Sequence, residues 1–117
     1  MKDLKDYMQK ERLNEEKRMN KRQAKKKRNK SIYRDTWNLD YAIAKFTLPR
    51  LIRFKEVTNG YPVRLETMEQ WYEILDKMIA AFTIIVKDND FIYNKDDQKI
   101  VNEGLDLFRE YYFDLWW

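Results

Sequence analysis

Apolar residues recur at helical spacing in three stretches of the chain, with polar residues on the opposite positions. The central stretch, TWNLDYAIAKFTLPRLIRFKEVTNGYP from Thr36 to Pro62, places Leu39, Ala42, Ile43 and Phe46 on one stripe. Trp37, Tyr41, Ala44 and Leu48 form a neighbouring one. Two adjoining apolar stripes predict a helix covered on more than one side. Pro49 lacks an amide hydrogen and presses on the carbonyl of Lys45, so the pattern predicts a kink or a break into two shorter helices. Leu51, Ile52 and Phe54 would then point in a new direction. Gly60 suits a left-handed cap, and Pro62 stops any helix that reaches it.

Thr67 with Gln70 three residues later reads as a capping box at the start of a second helix. From there Trp71, Ile74, Leu75, Met78, Ile79, Phe82, Ile85 and Val86 keep helical spacing over five turns, the strongest amphipathic pattern in the chain. Asp88 to Asp96 is a polar connection whose Phe91, Ile92 and Tyr93 are expected to pin it over the end of a bundle. Asp88 and Asp90 do not begin a calcium loop, because Tyr93 stands where glycine is needed and Lys99 where glutamate is needed. A last helix should start at Asp96 or Asp97 and run to the terminus. Its face is Ile100, Val101, Leu105, Phe108, Tyr111, Tyr112, Leu115 and Trp116. Gly104 would let a neighbouring helix approach closely, and the short connection predicts antiparallel packing on the Thr67 to Val86 helix. The fold expected is all-α, a small bundle of three to four helices with a Pro-kinked central helix and a basic helical or disordered N-terminal arm.

Charge divides the chain. Of its 24 Lys and Arg and 20 Asp and Glu, residues 1–30 hold 13 and 5, a net of +8, which leaves 11 and 15 for residues 31–117, a net of −4. Only Tyr7 of the 18 aromatic residues lies in the first 30, so composition assigns 1–30 to an arm and 31–117 to a helical domain. Within residues 1–19 Leu4, Tyr7, Met8 and Met19 make a stripe too thin to bury alone. Residues 20–30, NKRQAKKKRNK, hold Lys21, Arg22, Lys25, Lys26, Lys27, Arg28 and Lys30 and no acidic residue. Such a run repels itself until a partner neutralises it. It reads either as an arm for the backbone of DNA or RNA, bound through phosphates with little sequence preference, or as a solubilising tail. No apolar run approaches the roughly 20 residues of a membrane span, and no signal peptide is read at the N-terminus, so a cytoplasmic location is expected.

Candidate chemistry is sparse. The chain has no His and no Cys, a single serine at Ser31, and two glycines, which excludes thiol and histidine catalysis and any glycine-rich phosphate loop. Glu69 and Glu73, four apart, read as a solvated face rather than a metal site. Asp40 is the one oddly placed carboxylate, and Arg50, Arg53 or Arg64 is its expected ion-pair partner. No enzyme, metal or cofactor is expected. The Tyr111-Tyr112-Phe113 and Trp116-Trp117 clusters exceed what one helix stripe hides, and Trp37, Arg50, Arg53, Tyr112, Trp116 and Trp117 are the candidate partner-binding residues, because Trp, Tyr and Arg anchor interfaces.

Trp37-Asn38-Leu39-Asp40, Leu48-Pro49-Arg50-Leu51, Phe54-Lys55-Glu56 and Asn59-Gly60-Tyr61-Pro62 resemble a family of small uncharacterised proteins of tailed bacteriophages. The resemblance continues through Trp71, Leu75 to Ile79, and Glu103 to Phe108, and closes on Leu115-Trp116-Trp117, covering about residues 33–117. It implies a phage origin and a bacterial host cell, and it carries no activity. Three readings follow. In the first, an interaction protein inhibits a host protein or ribonucleoprotein complex, such as a CRISPR effector. In the second, a nucleic-acid-binding module acts through the arm. In the third, an oligomer, a homodimer for instance, sequesters a nucleotide signal with Arg50, Arg53, Arg64 and Trp37.

Overall fold

The computed structural model describes residues 2–87 and 91–117. Four helices appear in order: α1 (Lys2–Thr36), α2 (Leu39–Val57), α3 (Met68–Lys87) and α4 (Lys95–Glu110), with single 3₁₀ turns at Phe91–Tyr93 and Tyr112–Asp114. The fold is all-α, with no strand among the described residues. Asp88 and Asp90, compared above with a calcium loop, lie outside the described residues. The chain divides into two compact units, Met1–Asn38 and Leu39–Trp117. Ser31, where composition puts the boundary, lies inside α1.

The first unit is essentially one helix of 35 residues. Neither Gly nor Pro occurs before Pro49, and Lys, Arg, Glu, Gln and Met are strong helix formers. Every described side chain from Leu4 to Lys30 is exposed, so propensity and local pairs such as Tyr7 Oη to Glu11 Oε1 (2.8 Å) hold the helix rather than burial.

The second unit packs α2, α3 and α4 around Trp71. Trp71, Leu75 and Met78 are its largest fully buried side chains, all from one face of α3. The Trp71 ring meets Phe54 of α2 edge-on at 6.3 Å and Tyr111 at 5.6 Å. Ala44 and Leu51 bring α2 into the same core. α4 runs antiparallel to α3: Tyr111 lies beside Trp71, near the start of α3, and Glu103 pairs with Lys77 further along it at 2.9 Å. Gly104 sets their separation. A Cβ built there would lie against Ala81 Cβ and 2.5 Å from the Lys77 carbonyl oxygen, so the helices meet at a distance only glycine permits.

The caps explain the helix starts. Gln70 N donates to Thr67 Oγ1 at 3.2 Å, while Thr67 N and Glu66 N donate to Gln70 Oε1 at 3.3 and 2.8 Å, the reciprocal box expected. Asn94 Oδ1 accepts from Asp96 N and Asp97 N and starts α4 at Lys95, slightly earlier than the Asp96 or Asp97 start expected.

Several expectations are corrected. The break at Pro49 does not occur, because α2 is continuous from Leu39 to Val57. No glycine has positive φ, so Gly60 is not a left-handed cap. Instead the buried Thr58 closes the end of α2, its N–H donating to Phe54 O at 2.8 Å and its hydroxyl to Gly60 O at 3.2 Å. α4 stops at Glu110 and the chain tightens into a 3₁₀ turn. Leu107, not Leu105, joins the core face. Ile92 and Tyr93 pin nothing: they are 53% and 82% exposed, and Gln98 Nε2 donates to the Ile92 carbonyl, while the side chain of Phe91 lies outside the described ones.

Candidate interaction surfaces

In the second unit the chain after α4 is fixed by Arg64, from the α2–α3 connection. Its Nη2 donates to Glu110 O at 3.1 Å and to Asp114 Oδ2 at 3.2 Å, and its guanidinium carbon lies 4.1 Å from the centre of the Tyr111 ring. Tyr111 chiefly, against an opposing desolvation, and then Asp114 hold the Arg64 pKa above its ordinary value. Arg64 therefore ties the Pro62–Leu65 turn, itself closed by Leu65 N donating to Pro62 O at 2.9 Å, to the C-terminal 3₁₀ turn. Glu103 likewise raises the pKa of Lys77 by accepting its hydrogen bond across the α3–α4 seam.

The anchored segment separates two open grooves. One, of about 340 Å³, lies between α2 and the end of α4 and is lined by Phe46, Arg50, Phe54, Phe108, Tyr112 and Leu115. Arg50 lies over the Phe46 ring at 3.6 Å and donates from Nη1 to Phe46 O at 2.8 Å, which holds its charge at the groove edge. The rings of Phe82, Phe108, Tyr112 and Phe113 follow one another edge to face at 5.2 to 5.7 Å, leading from the core to the surface. The other groove is lined by Tyr61, Pro62, Val63, Asp114, Trp116 and Trp117, with Trp71 beneath. Trp116 and Trp117 remain 75% and 71% exposed. Along α2, Leu39, Ile43 and Phe46 are also open, Ile43 at 51% and Phe46 at 60%, so this stripe lacks the cover its pattern predicts.

The predicted partner-binding residues are thus distributed. Arg50 and Tyr112 share the first groove, and Trp116 and Trp117 share the second. Arg53 faces solvent, paired with Glu56 at 2.9 Å. Trp37 belongs to the first unit, edge-on to Tyr33 at 6.0 Å. Asp40 corrects another expectation: it is exposed in the first turn of α2, where a carboxylate suits the positive helix end. No ion pair to it occurs among the described residues, and its expected partners are engaged elsewhere. Glu69 and Glu73 are exposed, and among the described residues no three carboxylates gather as a metal site. Arg64, which anchors the C-terminal turn, was missed as an anchor because its partners lie 46 and 50 residues away in sequence.

The second candidate surface is the basic part of α1. Lys21, Arg22, Lys25, Lys26, Lys27, Arg28 and Lys30 are all exposed on a continuous helix. Lys27, Lys30 and Arg34 share one side of it, where they line a shallow depression. No described helix is long and apolar enough to cross a membrane. No family model, curated protein or solved structure matches the chain.

Proposed function

We propose that the protein is a non-enzymatic, phage-encoded interaction protein that binds and inhibits a host macromolecule in the bacterial cytoplasm. A nucleic-acid-containing defence complex, such as a CRISPR effector, fits both of its surfaces. The observation that carries this reading is the pair of grooves flanking the Arg64-anchored C-terminal turn. Tyr112, Trp116 and Trp117 stay exposed there after the core around Trp71 is filled. Large rings held on a rigid frame lose little entropy on binding and are favoured as anchors. The cationic segment of α1 adds attachment to phosphates of the same complex.

Affinity capture from bacteria expressing such a complex tests this. The full chain should retain a stoichiometric host protein after nuclease treatment, and W116A/W117A or F46A/Y112A should lose it. Equal retention by both variants would remove the grooves from the interface. A second reading, a nucleic-acid-binding module scaffolded by the second unit, is favoured by the exposure of every side chain from Leu4 to Lys30 of α1. It expects nucleic acid alone to be retained, and retention to vanish when the basic side chains are neutralised.

A further inference from the structure

Eight of the cations of α1 form rows on two opposite sides of the helix, with Lys17 and Lys26 lying between those sides. Between Lys17 and Arg34 the helix carries ten Lys and Arg and no Asp or Glu. At 3.6 residues per turn, Arg18, Lys21, Arg22, Lys25 and Arg28 fall along one side. Lys27, Lys30 and Arg34 fall along the opposite side, where they line one shallow depression. A helix resting across a single row of phosphates needs one charged side. Two opposed rows suit a helix lying between two rows of phosphates.

We propose that this segment lies lengthwise in the major groove of double-stranded DNA, its two rows of cations reaching the phosphates of the two strands. The proposal rests on the reading that α1 binds nucleic acid, and it specifies the form of nucleic acid and the placement. A helix about 10–12 Å across fits a groove about 12 Å wide. Residues 17–34 extend roughly 27 Å at 1.5 Å per residue. Single strands are disfavoured, because Tyr33 is the one aromatic side chain in residues 17–34 and successive bases need several rings to stack on. Duplex RNA is disfavoured because its major groove is deep and narrow. No sequence preference is expected, since Lys and Arg directed at phosphates carry no base readout.

The test uses the full chain and a mixed-sequence duplex of twenty base pairs, with affinity measured over a range of salt. Two variants, R18Q/K21Q/R22Q/K25Q and K27Q/K30Q/R34Q, each neutralise one row while keeping good helix formers. Both should flatten the plot of log affinity against log salt by about 0.9 for each phosphate that is no longer neutralised. A duplex whose cytosines carry glucosylated 5-hydroxymethyl groups, which fill the major groove and leave the phosphates intact, should bind at least about tenfold more weakly. If only one row changes the slope, or glucosylation changes nothing, the helix lies outside the groove and the inference falls while phosphate binding stands. If the unmodified protein shows no salt-dependent binding to the duplex, the nucleic-acid reading falls with it.

Discussion

Trp71 shows how one residue organises the second unit. It touches rings from α2 and from the C-terminal side of α4, so Trp71→Ala should cost about 3–5 kcal/mol and lower the melting temperature steeply. Trp116→Ala, at an exposed position, should change stability by less than about 0.5 kcal/mol, so thermal melting separates a core ring from a surface ring of the same type. Thr67→Ala removes the acceptor for Gln70 N and should cost about 1 kcal/mol, measured by denaturant unfolding. The capping box was legible in the sequence because both of its halves lie within one turn. Asp40 and Gly60 were misread for the opposite reason. An ion pair for Asp40 required knowing where distant arginines end up, and the close of α2 was decided by the burial of Thr58, which composition does not announce.

The elements α3 and α4 were largely visible in advance, since an amphipathic face of five turns leaves few alternatives, and Gly104 marked their seam. Gly104→Ala forces Cβ onto Lys77 backbone. The strain of overpacking, about 1–3 kcal/mol, exceeds the gain of up to about 1 kcal/mol in helix propensity, so the variant should melt lower than the parent. Periodicity showed which stripe of α2 is apolar and could not show that Leu39, Ile43 and Phe46 lack cover, because covering depends on which other elements reach it. α1 obeys different physics. With every side chain exposed but the half-buried Ser31, and no acidic residue from Lys17 to Arg34, its like charges oppose the helix at low ionic strength. Helical signal at 222 nm in far-ultraviolet circular dichroism should therefore rise as salt is added. A signal that is flat or falling with salt would contradict this account.

At the scale of the whole molecule, two units of opposite charge share one chain: Met1–Asn38 carries a net +8 and Leu39–Trp117 a net −4. Among the described residues only those of the second form a core, so trypsin should cut first among the exposed lysines and arginines of α1. A fragment beginning near Leu39 should survive and keep its near-ultraviolet signal from Trp71. Appearance of early cuts within α3 or α4 would deny that difference in local stability. The join between the units is short, with only Trp37 and Asn38 between α1 and α2. If both units engage one target as proposed, that join makes the protein bivalent. Once one surface has bound, the other meets its site at an effective concentration in the millimolar range, so two weak attachments amount to one that dissociates slowly. Free oligonucleotide would then release the α1 attachment alone, and the complex would persist until both are displaced.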